Sequence, residues 1–269
     1  MSNAATDFWA GLTTGTQSVV IAYSNAVFLL TDTGDLLRFR DAPMGDRGMP
    51  VGRETARTGA VNPKLVEGAG PLYYEEGFTG TGEVLGVHRL TGMLSALKTE
   101  VVVRRGRVVT ADDLRRHNVV ILGSPFQNET LVELQRPLQF VFERSTPLRA
   151  WKAGIVDRRS NPQAFFGVER DPRTQVILAD HAVFAVLPGM VPGRRIVIMA
   201  GVTTSGTQGA VEFATSPDAM QELVGALGQT REGRKVLPEY FECVLRVQVA
   251  RGLEAMKIHY VRGRALRER

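Results

Sequence analysis

The sequence predicts an α/β fold: a mainly parallel sheet with helices on both faces, plus antiparallel strands and a C-terminal β-hairpin. Three observations carry this. Short continuous apolar runs at Ser18–Tyr23, Asn118–Leu122 and Arg195–Ala200 read as strands buried on both faces. Helical patterns stand between strand patterns in the first half, and that alternation is the signature of a parallel sheet with right-handed crossovers. Each of the three runs also ends in small polar residues, the texture of a strand turning toward a helix.

The elements follow in order. Ser18–Tyr23 is a strand ending at Ser24-Asn25. The next stretch, about 31–80, is rich in Gly, Pro, Arg and Asp and has little apolar periodicity. It reads as a long loop or insertion, a lid or partner surface fastened by Tyr73, Tyr74 and Phe78. Gly82–Leu97 is a helix, with Leu90, Leu94 and Leu97 at helical spacing and Glu83 in the first turn, where a negative charge suits the dipole. Glu100–Val103 is a strand. Thr110 caps a short helix that ends near His117, and Asn128 opens another over Glu129–Leu134.

From Leu138 the texture changes. Leu138–Glu143, Gly154–Val156, Val176–Ala179 and Ala182–Leu187 are short strands between Pro-, Asn- and Arg-rich turns, and they predict an antiparallel section. Thr207–Leu227 is helical and broken at Pro217, with Ser216 as the second cap. Phe241–Val249 and Leu253–Tyr260 flank a turn at Arg251-Gly252 and form the terminal hairpin. The expectation is a single domain over 7–262 followed by a solvated basic tail, 263–269. Ser2-Asn3-Ala4 has the look of a tag remnant and stays outside the fold reading.

Composition narrows the function classes. The chain has 269 residues, 43% of them hydrophobic and 23% charged, ordinary for a globular protein. No apolar run is long enough for a membrane helix, and the start lacks a secretory pattern. One cysteine, Cys243, excludes an internal disulfide and fits a cytoplasmic location. It reads as a buried hydrophobe. Net charge is +5, which favours anionic partners, but the arginines are scattered and no nucleic-acid motif is present. No His, Cys, Asp and Glu grouping has metal-ligand spacing, so no metal is expected, and no cofactor is identified.

Three strand ends are candidates for one site. If the strands are parallel neighbours, their loops meet in a crevice at the carboxyl edge of the sheet. The candidate ligand-binding residues are Ser24, Asn25, Ser124, Asn128, Thr203, Thr204, Gly206 and Thr207. The Thr203–Thr207 stretch, between an apolar strand and a helix, has the form of an anion-binding corner. Glu212, in the early part of that helix, either suits the helix dipole or faces the crevice as a general base. Gly80-Thr-Gly82-Glu-Val-Leu85 misses the dinucleotide fingerprint, because Leu85 stands where the third glycine belongs. Asp180-His181 are neighbours on a strand and point to opposite faces.

Several of these residues also carry a resemblance. Phe8-Trp9, Ala22-Tyr23-Ser24-Asn25, Gly82-Glu83-Val84, Asp113-Leu114, the run Asn118–Pro125 with Asn128, and above all Ala200-Gly201-Val202-Thr203 with Gly206-Thr207-Gln208 and Glu212-Phe213 carry it. On them the chain resembles an uncharacterised soil-bacterial α/β module often found C-terminal to a winged-helix DNA-binding domain. The resemblance implies a ligand-sensing or signalling module and a fused or partner DNA-binding domain. The sequence reading is therefore a sensor of a small anionic or nucleotide-like ligand. The alternative is a nucleotide-directed hydrolase or glycosyl-bond-cleaving enzyme that uses Glu212.

Overall fold

The computed structural model describes residues 3–14, 18–39, 48–60, 62–134, 137–143, 153–231, 233–250 and 255–266. In chain order its elements are α1 (Ala4–Thr13), β1 (Ser18–Tyr23), β2 (Ala26–Thr31), β3 (Leu36–Arg38), α2 (Arg53–Gly59), α3 (Pro63–Glu67), β4 (Leu72–Phe78) and α4 (Thr81–Ala96). Then come β5 (Glu100–Arg105), α5 (Ala111–Arg116), β6 (Asn118–Leu122), α6 (Glu129–Leu134), β7 (Phe140–Glu143), β8 (Gly154–Asp157), β9 (Ala164–Gly167), β10 (Glu169–Arg170) and β11 (Ile177–Pro188). The last are β12 (Arg195–Gly201), α7 (Thr204–Thr215), α8 (Pro217–Leu227), β13 (Gln229–Arg231), β14 (Arg234–Val236), β15 (Phe241–Val249) and β16 (Ala255–Ala265).

The central sheet has the order β16-β15-β11-β12-β6-β1-β5, with β10 added beside β11. β5, β1, β6 and β12 run parallel, and β11, β15 and β16 continue the sheet antiparallel. The fold is thus mixed α/β with the expected C-terminal hairpin. The turn expected at Arg251-Gly252 lies outside the described residues. Two strands expected at Val176–Ala179 and Ala182–Leu187 are one, because β11 continues through Asp180 and His181 without interruption.

Side chains alternate across the strands and so build two cores. On one face Ile21, Val120, Leu122, Phe184 and Met199 pack under α1, α4, α7 and α8. On the other face Val20, Ile121, Val183 and Ile198 pack against Leu131, Phe140, Phe142 and Ile155. The second face carries the short helices α5 and α6 and is otherwise covered by a three-stranded antiparallel sheet, β7-β8-β9. Phe140 and Phe142 alternate with Val141 on a strand of four residues, too short for a helical stripe.

α1 begins inside the stretch read as a tag remnant. Asn3 caps it by accepting from Thr6 N–H at 2.9 Å. Ala5, Trp9 and Leu12 are buried, and Trp9 donates its indole N–H to the Ala214 carbonyl at 2.8 Å. Pro217 separates α7 from α8 as expected, and Ser216 caps the second helix.

Of the two forms expected over about 31–80, a long loop or an insertion, the described residues form a folded lobe. β3-β2-β4 form a separate antiparallel sheet, and Val27, Leu29, Phe39, Ala56, Val66, Leu72 and Tyr74 build a third core with α2 and α3. Strands as short as β3 and helices of five and seven residues leave little periodicity to read. The lobe leaves the body after Tyr23 and returns at Thr81, so both of its connections lie at one edge of the central sheet.

The basic tail expected over 263–269 is also corrected: 263–265 belong to β16, and 267–269 lie outside the described residues. Arg264 pairs with Asp157 at 2.7 Å and with Glu242 at 3.5 Å, and stacks on Phe140 at 4.1 Å. Burial opposes the Asp157 charge, yet hydrogen bonds from Arg264, Arg159 N–H and Arg262 hold its carboxyl below the usual range. Burial pushes the Glu242 carboxyl up. Removing the shared cation strands two buried acids. Arg264→Met should therefore lower the unfolding free energy by ~3 kcal/mol in urea titrations. Arg262→Met, at a half-exposed partner of the same Asp157, should cost under ~1 kcal/mol in the same assay.

Candidate functional site

The chain runs from β1 outward to β5, then back across β1 to β6 and on toward β12. Strand order therefore reverses between β1 and β6, the place where open α/β sheets form a crevice beyond their carboxyl ends. Tyr23 pairs with Leu122 and Leu122 with Met199, so β1 and β6 finish level and β12 runs on to Gly201. Ser24 N–H donates to the Leu122 carbonyl at 2.9 Å and Gly123 N–H to the Met199 carbonyl at 3.1 Å. The loops after β1 and β6 thus start side by side, and the loop after β12 starts two residues further on.

Glu83 stands at the centre of this rim. It lies in the first turn of α4 and is 1% exposed. Thr204 of α7 donates to Glu83 Oε2 at 2.5 Å, and Ser24 donates to Oε1 at 3.3 Å. Thr204 Oγ1 also accepts from Gly82 N–H at 2.8 Å. Only glycines fit between these groups. Gly123 has φ +96°, and a Cβ there would collide with the Ser24 side chain. A Cβ on Gly82 would collide with the Thr204 carbonyl. The sequence reading took Glu83 as a dipole carboxylate and missed this role. The signal was present as the run Gly80-Thr81-Gly82-Glu83, but the partner 121 residues away in sequence was not.

The remaining predicted residues divide into two groups. Thr203, Gly206 and Thr207 are engaged internally. Asp180 Oδ2 accepts from Thr203 N–H at 2.9 Å, Thr203 Oγ1 at 2.7 Å and Gly206 N–H at 2.8 Å. Thr207 Oγ1 accepts from Gly201 N–H at 3.1 Å. The anion expected at this helix start is therefore supplied by the protein itself, as Asp180. Asp180 is fully buried, and its Oδ1 accepts from His181 N–H. Burial pushes the Asp180 carboxyl up from its ordinary value of 3.8, against the pull of these donors. His181 points to the opposite side, with Nδ1 2.7 Å from the Gly167 carbonyl and its ring 5.7 Å from Phe166.

Asn25, Ser124 and Asn128 form the second group, and all are buried beside β1 and β6. Asn128 donates to the Leu122 carbonyl at 3.1 Å, and Asn25 donates to the Glu76 carbonyl at 3.3 Å. Each leaves its side-chain carbonyl oxygen buried without a hydrogen-bond partner among the described residues. Buried acceptors of this kind call for a donor. Asn128 lies against Gly106, where a Cβ would collide with it. Beside Gly106, Arg105 and Arg107 both reach Glu76 of the lobe, Arg107 at 3.0 Å.

Glu212 lies elsewhere. It is eight residues beyond Thr204 in α7, about 12 Å along the axis, in the third turn rather than the first. It accepts from Gln208 Nε2 at 2.8 Å. It lines an open groove of about 780 Å³ between α4 and α7 with Leu85, His88, Arg89 and Thr215. Arg89 donates there to Thr215 at 2.5 Å. Burial pushes the Cys243 thiol up, which suppresses the thiolate.

No protein-family model, curated protein or solved structure matches this chain. Among the described residues no helix is long and apolar enough to cross a membrane.

Asp180 gives a signed prediction. A carboxyl with a raised folded pKa contributes stability that is present below 3.8 and is lost as pH rises through the raised value. Asp180→Asn should remove this decline from a pH series of urea midpoints. The same substitution should cost ~1–3 kcal/mol near neutrality, because one amide oxygen cannot serve both His181 N–H and the α7 donors.

Proposed function

We propose that this chain is a ligand-responsive module that takes a small anionic or nucleotide-like molecule at the β1–β6 switch point. One observation carries the reading: both connections of the lobe pass through the buried polar cluster. Ser24-Asn25 leads out and Thr79-Gly80 leads back, and Thr79 Oγ1 donates to the Ser24 carbonyl at 2.5 Å. Ser24 in turn reaches Glu83, which holds Thr204. A molecule that competes for these hydrogen bonds acts directly on the lobe's stalk, and differential affinity for two lobe positions is what a sensor needs.

The ligand class follows from the unsatisfied groups. The Asn25 and Asn128 carbonyl oxygens accept N–H donors such as those of a nucleobase edge. Arg105 and Arg107, now shared with Glu76, suit an acidic group. The Thr203 and Gly206 amides are not offered to the ligand, since Asp180 already uses them. A hydrolytic role for Glu212 at this cluster lacks a geometric basis, because that carboxylate lines the α4–α7 groove.

A thermal-shift panel of adenine and guanine mono-, di- and triphosphates, cyclic mononucleotides and inorganic phosphate tests this. A binder raises the melting temperature by mass action. Thr204→Val and Asn128→Leu should abolish the shift, and Glu212→Gln should leave it unchanged. A shift that survives Thr204→Val and Asn128→Leu but disappears in Glu212→Gln would move the site to the groove. Product formation from any of the nucleotides would replace the sensor reading with an enzyme.

A further inference from the structure

We propose that two copies of this chain join edge to edge through β5, as an antiparallel pair centred on Val102. β5 ends the central sheet, and among the described residues it pairs only with β1. Its outer backbone groups are therefore a template for another strand. Val103 is 44% exposed on this edge, although its neighbours Val101 and Val102 pack on the two cores of the sheet.

The sequence of the strand, Glu100-Val-Val-Val-Arg-Arg105, selects a second copy as the occupant. A two-fold axis normal to the sheet keeps each face on its own side, so a residue pairs either with its own copy or with one an even number of positions away. Centred on Val102, the pairing sets Val102 against its copy, Val101 against Val103, and Glu100 against Arg104. Both ends of the interface then carry opposite charges across the strands, and the Val101–Val103 pairs cover the exposed valine. Centring on Val101 or Val103 sets Glu100 against Val102 or Gly106 and loses both ion pairs. The Glu100 side chain is exposed, and Arg104 remains 40% exposed while it contacts Asp113 at 3.4 Å.

The opposite edge of the sheet lacks this property. β16 carries Lys257, Arg262 and Arg264 and no carboxylate, so no register of self-pairing brings opposite charges together. Cationic edge residues of this kind discourage pairing.

Sedimentation equilibrium of the full chain over a concentration series tests the proposal, with circular dichroism as the check on folding. The wild-type chain should reach twice the mass of one chain. Glu100→Arg and Arg104→Glu should each fall to the mass of one chain, since each sets like charges opposite at both ends. An equimolar mixture of these two variants should recover the doubled mass, because both ends then carry opposite charges again. Val103→Lys, at an exposed position, should also give the mass of one chain. A wild-type chain that stays at single mass at every concentration overturns the proposal. So does a doubled mass that survives Glu100→Arg and Val103→Lys, or a mixture that stays at single mass.

Discussion

The hydrogen bond from Thr204 to Glu83 joins the first turns of α4 and α7 over the carboxyl edge of the sheet, and the arrangement of that edge depends on it. A carboxylate 1% exposed is costly without donors. Here the donors come from the loop after β1 and from α7 after β12. The carboxylate is therefore satisfied only when α4, β1 and α7 are all in place. Close backbone approach is part of the same constraint, since Gly82 and Gly123 leave no room for a side chain.

Asp180 acts similarly on the neighbouring helix end, with a different consequence. It accepts from two of the backbone N–H groups at the start of α7, those of Thr203 and Gly206. The helix start that looks most like an anion cradle is thereby partly occupied, and the unsatisfied polar groups lie one strand away at Asn128, after β6, and two strands away at Asn25, after β1.

The lobe adds a mechanical element. Its core is separate from the two cores of the body, and its stalk residues belong to the polar cluster. Glu76, held by Arg105 and Arg107, is a further tie between lobe and body. Charged contacts of this kind are weakened by salt more than apolar packing is.

Local pattern was enough for much of the fold. The buried strands β1, β6 and β12 were legible because strands covered on both faces are apolar throughout, α4 because its leucines recur at helical spacing, and α7 and α8 because the break at Pro217 and the Ser216 cap are local chemistry. The lobe was not legible, since its elements are too short to show a period. Nor was the cover of the second face, where Phe140–Glu143 gains its meaning only from Ile155 and Phe166 beside it. The rim residues Ser24, Asn25, Ser124, Asn128 and Thr204 could be named from strand ends alone. What the sequence by itself determined was which residues stand at those ends. Only the tertiary structure decided which polar groups are spent and which remain open. Glu83 finds Thr204 121 residues away, and Asp180 finds Gly206 26 residues away. Partnerships made through space leave no spacing along the chain.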